Sequence, residues 1–312
     1  MHQLTESQVS SLLDPVQLVS ALEAAFRDRY PRVELPDRTH LNTADGVFLS
    51  MSCFDPETHA LGMKLVAVSP TSQPPVQANY LLLDSRTASI IATLPANALT
   101  EIRTAATSAL ATRHLAREDA TVLAIFGTGR EARAHLKVFT QLARYSSILI
   151  CGRTPEKSQA FVAEFASTLP IRPADSYTCA AQADVICACT NSPEPLFDGK
   201  LLRPGTHLNL VGSFQPEVRE VDSIAICRAR IYVDTHPGAL AEAGDILIPM
   251  AEGLITSEHI VSDLHQLITR KRPGRANPAE ITIFKSVGCA LEDLVAAELV
   301  EQAARNALDR PL

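Results

Sequence analysis

Three cations in the first third of the chain are the side chains best placed to do chemistry. Arg38 lies in a Pro-Asp-Arg-Thr-His loop, Lys64 interrupts an apolar run, GMKLVAV, and Arg103 sits among small residues in EIRTAATSAL. Burying a lysine in an apolar strand is costly unless an opposite charge meets it. A substrate carboxylate is one such partner, and guanidinium groups would grip it through paired bonds. An edge-strand lysine turned to water, with arginines in structural salt bridges, is the alternative.

A second constellation spans Thr121 to Arg153. An apolar run, Val122–Phe126, leads into Gly127-Thr128-Gly129-Arg130-Glu131-Ala132, then a helical pattern and a second apolar run ending at Cys151. Strand, glycine turn, helix and strand in this order are the layout of a dinucleotide-binding unit. Gly127 permits the turn, Gly129 lets backbone approach a pyrophosphate, and Ala132 allows close helix–strand packing. The N–H groups at the helix start would hold the phosphates. After the second strand, where an NAD site usually offers an acid, stand Gly152, Arg153 and Thr154. An arginine and a hydroxyl suit a 2′-phosphate, so NADP is favoured over NAD.

The elements that must position these groups fall in two styles. Residues 14–30 read as a helix. Short strands follow around 47–51, 63–68, 79–83 and 89–92, too closely spaced for crossover helices, so an antiparallel or mixed sheet is expected. A helix over 98–115 comes next. From Thr121 strands near 122–126, 147–151, 184–189, 206–211 and 230–234 alternate with helices near 130–144, 155–167 and 176–182. That alternation predicts a Rossmann-type, doubly wound parallel sheet. A strand over 281–286 and a helix over 287–308, with an apolar stripe of Leu291, Leu294, Val295 and Leu299, close the chain. The fold class is therefore α/β. A dinucleotide-binding domain, residues 118–288, is inserted in a smaller α+β substrate domain, residues 1–117 plus 289–312, to which the family resemblance given below also assigns dimerisation. The basic stretch 270–275 reads as an exposed loop.

Composition sets bounds. The 312 residues suggest two domains, and 46% hydrophobic with 20% charged residues is ordinary for a globular enzyme. A net charge of −7 argues against a nucleic-acid partner. No apolar run approaches the length of a membrane span. The polar N-terminus lacks a signal pattern, so the cytoplasm is expected. The seven cysteines include no CxxC and read as reduced, mostly buried thiols. No cluster has metal-ligand spacing, so no metal is expected.

The chain resembles the ornithine cyclodeaminase/mu-crystallin family over nearly its whole length. PDRTHL (36–41), GMKLVAV (62–68), TEIRTAATSALAT (100–112), FGTGREARAHL (126–136), GRT (152–154), GSFQPEVREVD (212–222), YVD (232–234), AGD (243–245) and FKSVGCALEDLVAAE (284–298) carry the resemblance. It implies that Arg38 and Arg103 bind the substrate carboxylate and that Lys64 lies beside the reacting carbon, with Met51 and Phe214 also at the substrate. It places Gly127, Thr128, Gly129, Arg130 and Glu131 at the pyrophosphate and Arg153 and Thr154 at the adenosine ribose. Thr190, Asn191 and Ser192 would lie along the cofactor, and Val211, Gly212 and Ser213 would line the nicotinamide. Lys285, Ser286, Val287 and Gly288 would approach it from the returning segment. A homodimer, paired through the N-terminal sheets, is also implied.

Two departures bear on the reaction. Cyclodeaminases place carboxylates where this chain has Leu49 and Phe214, so no acid is expected beside the cations to handle an ammonium. The expectation is an NAD(P)H-dependent reductase of small cyclic 2-imino acids. Ornithine cyclodeaminase, an alanine-dehydrogenase-like enzyme and a non-catalytic NADP-binding protein are the alternatives.

Overall fold

The computed structural model describes residues 2–69, 71–74 and 76–308, so the last four residues of the expected 289–312 segment lie outside it. The chain divides into two compact units, residues 1–107 with 289–312, and residues 108–288. The boundary falls inside the helix Asn97–Leu115.

The first unit holds a six-stranded mixed sheet, in the order His2–Gln3, Ser89–Pro95, Val76–Asp84, Ala60–Val68, Gly46–Phe54, Thr39–Thr43. All neighbours are antiparallel except His2–Gln3 with Ser89–Pro95. Side chains alternate between the faces of a strand. Leu49, Met51 and Cys53, then Lys64, then Ala78, Tyr80 and Leu82, then Ala92 and Leu94 are buried on one face. The helix Ala290–Leu308 packs on that face, against the strands Gly46–Phe54, Ala60–Val68 and Val76–Asp84. The opposite face carries Leu41, Phe48, Leu65 and Ile90, all exposed in the single chain; Phe48 is 52% exposed. Arg29, at the end of the π-helical turn Ala25–Arg29, ties this unit together. It bonds Asp55 at 2.6 Å and Glu298 at 2.7 and 3.0 Å.

The second unit is an eight-stranded, wholly parallel sheet. Its order is Ile260–Asp263, Ala229–Val233, Ile281–Lys285, His207–Leu210, Val185–Ala188, Val122–Phe126, Ser147–Cys151, Ile171–Pro173. The chain starts in Val122–Phe126, fills one side, then returns to fill the other. Such a reversal creates a switch point, where ligands bind beyond the carboxyl ends of the strands.

Several boundaries differ from the sequence reading. Thr39–Thr43, expected in a loop, is an edge strand of wholly exposed residues that lacks the apolar alternation of a buried strand. The strands Ile171–Pro173 and Ile260–Asp263 are too short to show a period. The last helix starts at Ala290, not Val287. Asp234 Oδ2 accepts the N–H groups of Val287 and Gly288 at 2.8 and 2.7 Å and the Ser286 hydroxyl at 2.9 Å, and Gly288 adopts φ +89°. Those bonds hold the segment out of the helix. In the basic stretch, Arg275 is partly buried and structural. Its guanidinium donates to the carbonyls of Leu115 and Glu280 and to the Thr282 hydroxyl.

Candidate active site

In the first unit the strand Ala60–Val68 drives Lys64 inward, and the ammonium is almost fully buried. Met51 sits directly across the ladder from it on one side and Tyr80 on the other. Lys64 Nζ lies 2.8 Å from both carboxylate oxygens of Asp293. Arg103, from the helix Asn97–Leu115, is 4% exposed; its Nε donates to Asp293 Oδ1 at 2.9 Å and its Nη1 to Glu292 Oε2 at 2.7 Å. Arg38, half-buried, is close enough for its charge to act on Lys64. Three segments far apart in sequence thus meet in one charged cluster.

Burial pushes the Lys64 amine down to about 8, aided by the charges of Arg103 and Arg38 and opposed by Asp293. Burial pulls the Asp293 carboxyl upward, but Arg103 and Lys64 outweigh it and hold it below its usual value. A lysine poised near neutrality can hold or release a proton in the working range.

The two acids correct the expectation of a cluster without carboxylates. Asp293 and Glu292 begin the last helix, where acids are favoured in any case by the helix dipole. Nothing in the sequence sets them apart from ordinary first-turn acids. The residues named for the cyclodeaminase comparison remain apolar. Leu49 is buried on the core face and Phe214 is partly exposed in the loop after His207–Leu210.

In the second unit the strand Val122–Phe126 delivers Gly127 at φ +109°, where a Cβ would stand 2.5 Å from the Cys189 carbonyl oxygen. A Cβ on Gly129 would meet nothing within 4 Å. Gly129 is the N-cap of Arg130–Leu142, and no side chain caps that helix. Its first N–H groups and the open space over Gly129 fit an anion such as a pyrophosphate. Arg133 fixes the turn from beneath, donating to the Thr128 carbonyl at 2.6 Å and pairing with Glu164 at 2.5 Å.

The remaining candidates lie along the carboxyl ends of the same sheet. Arg153 is exposed, and Thr154 caps the helix Pro155–Phe165. A Cβ on Gly152 would crowd Thr128 Cγ2 at 2.9 Å and Ser158 Oγ at 3.0 Å, so an acid there would not fit without movement. Asn191 is exposed, while Thr190, Ser192, Val211 and Gly212 are half-buried and Ser213 is buried. Lys285 is wholly buried and its amine is turned into the protein, 2.9 Å from Asp245 and 2.5 Å from the Ser213 carbonyl oxygen. Val287 and Gly288 follow it in the segment held by Asp234.

Comparison with known proteins gives a consistent picture. The profile of the ornithine cyclodeaminase/mu-crystallin family matches residues 1–307. A Δ1-pyrroline-2-carboxylate reductase of Bacillus cereus is 36% identical, over 88% of this chain and 85% of its own length. The ketimine reductase mu-crystallin of Mus musculus is 36% identical, over 93% and 91%. The structure of the Thermococcus litoralis Δ1-pyrroline-2-carboxylate reductase, in complex with NADH and L-proline, superposes with a TM-score of 0.94. It is 31% identical and covers 98% of both chains.

Proposed function

The chain belongs to the ornithine cyclodeaminase/mu-crystallin family, and from that premise we propose an NAD(P)H-dependent reductase of small cyclic 2-imino acids. Substrates of the 1-pyrroline-2-carboxylate and 1-piperideine-2-carboxylate type suit it. The observation that carries this reading is the meeting of Lys64 and Arg103 in one buried cluster, with the half-buried Arg38 near enough for its charge to act on the amine.

In this reading residues 1–117 with 289–312 bind substrate and residues 118–288 bind the dinucleotide. Arg38 and Arg103 hold the carboxylate next to the imine, which fixes the reacting carbon. Met51, across the ladder from Lys64, contributes apolar surface to the ring. Asp293 keeps the Lys64 amine in place, and Lys64 gives its proton to the imine nitrogen as that nitrogen gains electron density. A bound reduced nicotinamide supplies the hydride. Gly127, Thr128, Gly129, Arg130 and Glu131 take the pyrophosphate; Thr190, Asn191, Ser192, Val211, Gly212, Ser213, Val287 and Gly288 border the nicotinamide end. Arg153 and Thr154, beside a Gly152 where any side chain would be crowded, favour NADP over NAD.

The carboxylates of Asp293 and Glu292 invite the cyclodeaminase reading again, because that reaction needs an acid near the ammonium. Both are already paired with Lys64 and Arg103, which gives them a role without a second ammonium. The apolar Leu49 and Phe214 argue the same way. An NADPH- and NADH-linked assay across cyclic imines, pyruvate with ammonia, and ornithine with NAD decides among them. Rapid cyclic-imine reduction without added ammonia is expected; ornithine-dependent release of ammonia and proline would overturn the assignment.

A homodimer and a cytoplasmic setting complete the proposal. The exposed apolar face of the six-stranded sheet suits a second copy of this chain. The seven cysteines are free thiols, in keeping with a reducing compartment.

A further inference from the structure

Beneath the loops that carry Thr190, Gly212 and Ser213 lies a wholly buried carboxylate, Glu220. Its Oε1 accepts both the N–H and the hydroxyl of Thr190, each at 2.9 Å. Its Oε2 accepts the Gly212 N–H at 2.8 Å. One side chain therefore joins the loop after Val185–Ala188 to the loop after His207–Leu210. The two loops touch at this point, since a Cβ on Gly212 would stand 1.9 Å from the Thr190 carbonyl oxygen.

Glu220 is itself pinned. Its N–H and that of Val221 donate to Asp245 Oδ1 at 2.7 and 3.1 Å. The other Asp245 oxygen pairs with Lys285 at 2.9 Å, and the same ammonium donates to the Ser213 carbonyl at 2.5 Å. The network spans the carboxyl ends of three neighbouring strands, the region where parallel sheets bind ligands.

The groups facing Glu220 are Lys285, Asp245 and the Cys189 thiol. One ammonium serves two buried carboxylates. Burial pushes Glu220 up to about 7, with Asp245 adding to the rise and Lys285 opposing it. Ionised, Glu220 can accept from all three donors. Protonated, one oxygen carries a hydrogen and can no longer accept comfortably from the N–H it faces, so one loop is released.

We propose that Glu220 is a positioning residue for the dinucleotide, locking Thr190 and Gly212 in place when ionised and loosening one of them when protonated. Lys285 and Asp245 act through it, without touching the cofactor. Dinucleotide affinity then rises with pH across neutrality. The inference rests on the reading of residues 118–288 as a dinucleotide domain.

The test is Glu220→Gln, which keeps the shape but turns an amide NH2 toward one of the donors. NADH is the probe, because it carries no phosphate group titrating between pH 6 and 8. Calorimetric titration should give wild-type protein a Kd several-fold lower at pH 8 than at pH 6. The variant should bind about 10-fold more weakly at pH 8, the effect of one lost and one opposed hydrogen bond, with no change down to pH 6. In the ligand-free protein, amide hydrogen exchange in segments 189–192 and 211–214 should be faster in the variant. Wild-type affinity, pH dependence and protection in Glu220→Gln would overturn the proposal. Should that variant not fold, a wild-type Kd that is flat from pH 6 to 8 would overturn it equally. Wild-type protein that bound no dinucleotide at either pH would instead remove the dinucleotide reading itself.

Discussion

Arg103 pairs with Asp293 and Glu292 in the protein and, in the proposed reaction, with the substrate carboxylate as well. Truncating it to alanine takes one cation from two buried acids, leaving Lys64 as the ammonium beside Asp293 and removing the Arg103 bond to Glu292, at a cost of about 3–5 kcal/mol of stability. The same change should lower kcat/KM by about two decades through the lost carboxylate contact. Arg103→Lys separates the two effects: the restored charge should recover much of the thermal stability, while the raised KM persists because a lysine has no planar fork. Lys64 makes a different prediction. The protonated amine is the active form, so kcat/KM should fall as pH rises through about 8, the value to which burial lowers it. Lys64→Met should lose that limb at a much reduced rate, and an unchanged profile would move the proton to another group. Lys64 and Arg103 stood out in the sequence because a charge inside an apolar or small-residue pattern is conspicuous, whereas Arg38, in a polar loop, takes its carboxylate role from the family resemblance. The counter-ions of Lys64 and Arg103 did not stand out, because pairing between residues about 190 to 230 positions apart leaves no local mark.

At the scale of elements, the glycine turn and its flanking strands were readable because each residue type has a local steric reason. The segment 286–289 was not. Ser-Val-Gly-Cys continues smoothly into a helical sequence, and bonds to Asp234, more than fifty residues earlier, hold it out of the helix. Asp234→Asn should therefore destabilise the protein by about 1–3 kcal/mol, since an amide cannot accept all the bonds that the carboxylate does. Chemical denaturation would measure it. At the other end of the sheet, Arg153→Ala should raise the KM for NADPH by roughly 10-fold and leave that for NADH nearly unchanged. Parallel loss of both would place Arg153 in the fold of the loop and not in cofactor choice.

For the whole molecule, the α/β class and the parallel sheet followed from alternating apolar runs and helical periods. The short edge strands did not, since their pairing is decided by the strands already in place. Nor did the two-sided character of the smaller sheet stand out, with Leu41, Phe48, Leu65 and Ile90 gathered on the face away from the core. Sedimentation of the wild-type protein should give the mass of two copies. Phe48→Glu with Leu65→Glu should give a soluble single copy, since a charge pair meeting itself across a two-fold axis is repulsive. A dimer that survives both changes would have to use another surface.

The acids that neutralise Lys64 and Arg103 follow them by about 190 to 230 residues in the chain. During synthesis the first unit is thus made with its positive charges long before their counter-charges leave the ribosome. Its sheet can pair early, but its interior cannot close until the helix Ala290–Leu308 has been made. Stopping the chain after Gly288 would deprive that sheet of its covering helix and of both anions at once, and the product should be insoluble or rapidly degraded.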